Sequence, residues 1–291
     1  MRAVRLATNP LIRPNMDGAM GENINGPSLI KVPDWIERPL GRYYLYFAHH
    51  DGRYIRLAFA DAVEGPWKMF EDGVLPLAQS HFRGHLASPD VHVDDEKRRI
   101  RMYFHGADQP SGVAGTPQAT RVALSSDGLR FATEEPLLGK PYFRVFGWRG
   151  HTYALAMPGV IYRSRDGLRD FEQGPTLFSK NMRHSAVRIK DDKLQVFYTD
   201  VGDAPERILL STIDLTKDWM NWRESAPGLV LSPEETYEGA DCPNEPSVRG
   251  LIPHRARQLR DPAIFSEGDR TYLLYAIAGE SGIAAVELFE E

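Results

Sequence analysis

Residues 260–288 read RDPAIFSEGDRTYLLYAIAGESGIAAVEL, and this stretch is one unit of a repeat that decides the fold. It opens with the short strand RDPAIF, passes through a polar turn into the aromatic strand TYLLYAIAG, and ends with a third strand, GIAAVEL. Short runs of β-branched and aromatic residues separated by turn residues are typical of antiparallel hairpins. The unit therefore predicts three consecutive antiparallel strands.

Copies of this unit occur throughout the chain. Equivalent first strands are NGPSLIKV at 25–32, SPDVHV at 88–93 and HSAVRI at 184–189. Aromatic second strands follow as RYYLYFAHH, IRMYFHG and LQVFYTD, and the third strands finish at Asp61, Asp127 and Asp214, where an aspartate begins a turn. A more degraded fifth copy starts with YFRVFGW at Tyr142. The sequence thus contains five similar units.

Five such units predict an all-β, five-bladed β-propeller that spans residues 1–291 as a single domain. Five sheets arranged radially bury each other's faces, which one four-stranded sheet cannot do alone. The last unit lacks a fourth strand, and the strand-like residues 2–6 could supply it. A two-sheet sandwich is the alternative, but a sandwich has no reason to repeat one pattern five times. The approximate blades are 25–72, 88–133, 141–173, 184–224 and 260–289.

Composition excludes several classes of protein. The single cysteine, Cys242, excludes intramolecular disulfides and cysteine-rich zinc sites. Lys and Arg total 35 against 40 for Asp and Glu, so the surface has no general attraction for nucleic acid or anionic lipid. No apolar run has bilayer length. We expect no nucleic-acid or membrane partner and a cytoplasmic location, or a secreted or periplasmic one if a leader has been removed.

The propeller geometry selects candidate site residues before any chemistry is assumed. The first strand of each blade lines the central channel and the second returns antiparallel, so first-strand starts and second-strand ends share one face. Two long segments, 107–120 and the acidic 232–250, overhang that face. Converging arginines indicate an anionic partner, either the protein's own carboxylates or a uronate, sulfate or phosphate. The predicted substrate-binding residues are Asn25, His49, His85, Arg144, His184 and Arg260.

The chain resembles the five-bladed β-propeller glycoside hydrolases, namely the family 43 arabinanases and β-xylosidases with their invertase-like and agarobiose-hydrolase relatives. The resemblance is carried by SPD ending at Asp90, RDPAIF from Arg260, NPL near Asn9, and aromatic strands followed by S-x-D-G. It implies cleavage of a glycosidic bond in an oligosaccharide or polysaccharide-derived glycan by carboxylates on neighbouring first strands. One carboxylate would be the base or nucleophile, one an orienting group and one the general acid.

This chain departs from the family pattern in two blades. Gly26 stands where the first blade of the family has an aspartate, and the third blade offers Tyr142 and Arg144 in place of a glutamate. Counting the ring from Asp261 restores the order, with Asp261 as base, Asn25 as neutral orienter and Asp90 as acid. In the acidic segment, Glu245 or Glu238 could compete for the acid role.

Alternatives to hydrolysis stay open. The arginines and histidines would also suit a phosphorylase or lyase acting on an anionic sugar, and the missing carboxylates would suit a catalytically silent glycan-binding propeller. No spacing of histidines and carboxylates argues for a metal, so we expect no cofactor, although a divalent ion in the channel is not excluded. Motifs of serine hydrolases, P-loop proteins and zincins are absent from the sequence.

Overall fold

The computed structural model describes residues 1–50, 52–109 and 117–290, and this part of the chain is built from twenty β-strands. Three short 3-10 turns, Leu77–Gln79, Trp219–Asn221 and Thr236–Glu238, lie between strands. The strands are β1 (Arg2–Arg5), β2 (Asn25–Lys31), β3 (Tyr43–Ala48), β4 (Tyr54–Ala60), β5 (Lys68–Pro76), β6 (His85–Asp94), β7 (Arg99–Ala107), β8 (Ala119–Ser125), β9 (Ala132–Thr133), β10 (Arg144–Trp148), β11 (His151–Ala156), β12 (Val160–Ser164), β13 (Glu172–Thr176), β14 (Met182–Lys190), β15 (Lys193–Asp200), β16 (Ile208–Asp214), β17 (Gly228–Leu231), β18 (Arg260–Glu267), β19 (Arg270–Ala276) and β20 (Ile283–Phe289).

These strands form five separate four-stranded antiparallel sheets. Their orders are β2-β3-β4-β5, β6-β7-β8-β9, β10-β11-β12-β13, β14-β15-β16-β17 and β18-β19-β20-β1. In the last sheet β1 pairs with β20, with Arg2 opposite Phe289 and Arg5 opposite Val286. The prediction of an all-β, five-bladed propeller is confirmed, and five sheets exclude a two-sheet sandwich.

The apolar core is divided into five clusters, each filling the gap between two neighbouring blades. Strand β3 shows how the sequence produces this arrangement. Tyr44 and Tyr46 face the second blade, whereas Leu45 and Phe47 face the last blade. Alternate residues of a strand point to opposite faces, so a blade packed on both sides needs a continuous apolar run. The aromatic second strands of the repeat supply that run.

Candidate active site

Every blade places one residue in the left-handed backbone region at the same position, beside the channel mouth. These residues are Gly26, Ser88, Tyr142, His184 and Asp261, with φ angles of 60°, 50°, 70°, 42° and 48°. In four of the blades the pairing of first and second strands shifts register at this point. Bulges of this kind re-aim side chains, and left-handed non-glycine residues cost about 1–3 kcal/mol each and cluster at functional sites.

A cavity of about 240 Å³ lies at this end of the channel and receives side chains from all five blades. It is smaller than the roughly 300–1,000 Å³ typical of drug-sized ligand pockets, so its size suits a single sugar ring. Its lining residues are Asn25, His50, His85, Ala87, Ser88, His105, Gln118, Tyr142, Met157, Arg183, His184, Arg249, Gly250, Asp261 and Glu280.

Asp261 is the carboxyl group of this cavity that keeps an unpaired oxygen. Its Oδ1 accepts a hydrogen bond from the Tyr142 hydroxyl and lies 3.8 Å from Nε2 of His184. Its Oδ2 is buried and has no hydrogen-bond partner in the described part of the chain. Burial and the nearby Glu280 raise the pKa of Asp261 to about 6, although the Tyr142 hydrogen bond opposes this. A carboxyl group with such a pKa can transfer protons near neutral pH.

Three further buried polar atoms at the cavity lack partners among residues 1–50, 52–109 and 117–290. They are Asn25 Oδ1, His105 Nδ1 and His184 Nδ1. Burial lowers the pKa of both His105 and His184 well below the usual value, so both imidazoles are neutral at pH 7. Each unsatisfied buried group costs about 1–3 kcal/mol. The residues that carry these atoms all line the cavity, so it is surrounded by polar groups that the described chain leaves unpaired.

Asp90 does not line this cavity, because it lies two residues beyond Ser88, the left-handed residue of its blade. Its Oδ2 accepts hydrogen bonds of 2.8 Å from the Val145 backbone N–H and from His92 Nε2. Burial opposes ionisation of Asp90, but His92 and Arg144 hold its pKa below the usual value.

The first blade repeats the arrangement of Asp90. Ser28 also lies two residues beyond its left-handed residue, Gly26, and its hydroxyl accepts a 2.9 Å bond from the Val91 N–H of the next blade. Asp90 therefore occupies a position that joins neighbouring first strands.

Comparison with known proteins places this chain in a family. No protein-family model matches the chain. It is 34% identical over 322 residues to "Uncharacterized protein R118" of Acanthamoeba polyphaga mimivirus, covering 98% of this chain and 90% of the viral protein. The chain belongs to the same family as this viral protein.

Solved structures of glycoside hydrolases share the propeller fold of this chain. A GH43 β-xylosidase/α-arabinofuranosidase from a compost metagenome, solved with xylotriose, has a TM-score of 0.64 at 13% identity, covering 99% of this chain and 96% of that one. The GH43_1 enzyme from Xanthomonas citri, also with xylotriose, has a TM-score of 0.65 at 12% identity, covering 98% and 94%. Likeness at such identity establishes the fold, as the resemblance implied, and leaves function to the site.

Two arginines at or beside the cavity are paired with carboxylates of the protein itself. Arg183 donates to both oxygens of the fully buried Glu206, and Arg260 Nη1 donates to Glu280 Oε1 at 2.9 Å. Burial opposes ionisation of Glu280, but His50 and Arg260 lower its pKa to about 2. The positive charges of these two guanidinium groups are therefore already neutralised by carboxylates of the protein.

The remaining predicted residues fall in several places. Asn25, His85 and His184 line the cavity, whereas His49 lines an adjoining groove. Arg260 does not line the cavity but donates a hydrogen bond to Glu280, which does. Arg144 is buried with its guanidinium 4.5 Å from the centre of the Tyr142 ring, and its Nε donates to the Ser185 carbonyl at 2.6 Å.

The acidic segment contributes no carboxylate to the cavity. Glu245 is exposed, and Glu238 is buried elsewhere, where it accepts hydrogen bonds from Arg5 and Tyr275. Of the overhanging segment 107–120, residues 110–116 lie outside the described chain. No group of three or more His, Cys, Asp or Glu side chains in the described ranges is placed to hold a metal ion. Within the same ranges no helix is long and apolar enough to cross a membrane.

Sequence reasoning missed Gln118, Met157 and Arg249 as lining residues. Gln118 and Met157 lie in the β7–β8 and β11–β12 connections, and Arg249 lies between the fourth and fifth blades, where the repeat gives no position. It also missed Glu206, the carboxylate that neutralises Arg183. A buried glutamate next to the Ile208–Asp214 strand carries no sequence signal that separates it from a solvated one.

Proposed function

We propose that this chain hydrolyses the glycosidic bond of a terminal sugar residue held in the channel-mouth cavity, with Asp261 as the general base. The observation that carries this proposal is the buried, unpaired Oδ2 of Asp261, a residue that lines a cavity of about 240 Å³. A base with a pKa of about 6 is largely ionised at pH 7 and is more basic than an ordinary aspartate.

The proposed reaction uses water as the nucleophile. Asp261 Oδ2 accepts a proton from a water molecule, whose oxygen bonds to the anomeric carbon while the bond to the leaving oxygen breaks. The leaving oxygen takes a proton from solvent. Attack by water on the face opposite the leaving group inverts the anomeric centre. Tyr142 orients the carboxylate through Oδ1, while Asn25 and the neutral imidazoles of His105 and His184 bind sugar hydroxyls.

Arg249 favours a second candidate, phosphorolytic or lyase chemistry on an anionic sugar. It lines the cavity, and its Nη2 donates to the Lys180 carbonyl at 3.0 Å. Within the described chain no carboxylate forms an ion pair with it, and burial together with Arg183 lowers its pKa. An unpaired cation at the mouth would bind a phosphate, or a carboxylate or sulfate on the sugar.

A panel of nitrophenyl glycosides and oligosaccharides tests the proposal with the Asp261→Asn and Asp90→Asn variants. We expect Asp261→Asn to lose about 10²–10⁴-fold in turnover, the usual contribution of general base catalysis. Asp90→Asn should keep the pH dependence set by Asp261. Full turnover in Asp261→Asn would reject the assignment.

Further measurements separate the other reactions. Hydrolysis proceeds without phosphate, phosphorolysis requires phosphate, and a lyase forms unsaturated products that absorb ultraviolet light. Glycan binding by the unaltered chain with no turnover across the panel would identify a silent binding module.

A further inference from the structure

A second and larger cavity, of about 1,050 Å³, opens beside the channel mouth. This groove lies between the segment that precedes β2, the residues 236–255 and the turn between β19 and β20. Its walls are largely apolar and include Pro10, Pro14, Tyr237, Leu251, Ile252 and Ile277.

The groove adjoins the sugar-sized cavity. Glu280 lines both spaces. His49 lines the groove, and the next residue, His50, lines the cavity. In the same way Leu251 lines the groove, and the preceding residue, Gly250, lines the cavity. A ligand bound in the cavity would therefore pass into the groove with the part that extends beyond the first ring.

The chemistry of the groove suits an apolar group better than a chain of sugars. Arg255, which lines it, is already paired with Asp241 at 3.0 Å. The Tyr237 hydroxyl accepts a 3.3 Å hydrogen bond from Asn9. Arg13 and Glu22 also line the groove, but their opposite charges confer no net preference for an ion. Sugar units need many hydrogen bonds, whereas aliphatic and proline side chains offer mainly apolar surface.

We infer that the groove binds the apolar aglycone of a glycoside whose sugar occupies the channel-mouth cavity. This inference rests on the proposed function and deepens it by naming the substrate class. The substrate would then be a sugar joined to an alkyl, aryl or similar lipophilic group.

Alkyl glycosides of one sugar, from methyl to octyl, test the inference because their leaving groups have similar acidity and differ mainly in apolar length. We expect kcat/KM to rise up to about fourfold for each methylene that the groove buries, mainly through a lower KM. Leu251→Asp should reduce the octyl-to-methyl ratio towards one.

Leu40→Asp is the matched control. Leu40 is 38% exposed and Leu251 is 40% exposed, but Leu40 lies in the turn after β2, away from the mouth. The control should keep the octyl-to-methyl ratio of the unaltered protein.

Calorimetric titration of Asp261→Asn with the same alkyl series separates this inference from the proposed function. Affinity that grows with chain length and falls in a combined Asp261→Asn, Leu251→Asp variant supports the groove assignment, even if no glycoside is turned over and the proposed function fails. Turnover that is independent of alkyl length, or faster with oligosaccharides of the same terminal sugar, would overturn the inference and leave the hydrolase proposal intact.

Discussion

Replacing Asp261 by asparagine should make the folded protein more stable at neutral pH while it removes the proposed base. Asp261 is buried, and its pKa in the folded protein is about 6 against an ordinary value of 3.8. Below about pH 4 both the folded and unfolded states hold the proton, so the group does not affect stability. Between about pH 4 and 6 the unfolded chain loses the proton first, and stability falls as the pH rises.

The size of this effect follows from the pKa difference. A difference of about two pKa units corresponds to a cost of about 3 kcal/mol in the free energy of unfolding above pH 6. Asparagine carries no charge and avoids this cost, but its amide would replace the unpaired Oδ2 and cost about 1–3 kcal/mol if it finds no partner. We therefore expect a net gain of up to about 2 kcal/mol at pH 7. For a chain of this size that corresponds to a Tm increase of up to about 4 °C.

Thermal unfolding of the unaltered protein and of Asp261→Asn, followed by calorimetry from pH 4 to pH 7, measures this difference. The Tm advantage of the variant should be largest at pH 7 and should disappear or reverse at pH 4. A variant that melts below the unaltered protein at pH 7, or a difference that does not change with pH, would refute the reasoning.

Three other substitutions give distinct signatures. Asp90→Asn should lower the free energy of unfolding, measured in urea at pH 7, by about 1–3 kcal/mol. Because the pKa of Asp90 is lowered in the folded protein, this difference should fade at acid pH. A loss of stability that does not change with pH would contradict the expectation. Tyr142→Phe removes a hydrogen bond that lowers the pKa of Asp261, so the acid limb of the kcat/KM profile should move to higher pH; an unmoved limb would argue against Asp261 as the base. Glu206→Gln leaves Arg183 buried without its charged partner and should cost about 3–5 kcal/mol by urea unfolding; a loss below about 1 kcal/mol would show that the pair is not needed.

The blades could be predicted from the sequence because every blade must be apolar on both faces. Strands such as Tyr43–Ala48 therefore read as uninterrupted aromatic and aliphatic runs that stand out against polar turns. The repeat of these runs also gives the number of blades, since each run needs its own sheet.

The site was harder to predict because the register of each first strand decides which side chain faces the cavity. When RDP at 260–262 and SPD at 88–90 are aligned on their prolines, the residue equivalent to Asp261 is Ser88 and not Asp90. The resemblance to a family motif drew attention to Asp90. Residues from connections, such as Arg249, could not be placed, because strand spacing does not determine where a long loop returns.

The position of Asp261 links the proposed chemistry to closure of the ring. Its blade is the one whose outer strand, β1, comes from the opposite end of the chain. Arg5 of β1 also donates to Glu238, which accepts a second bond from Tyr275 on β19, so side chains reinforce the same join. A buried residue with a strained backbone persists only where the surrounding structure holds it in place. The join between the two chain ends therefore supports the blade that must hold Asp261 in its left-handed conformation.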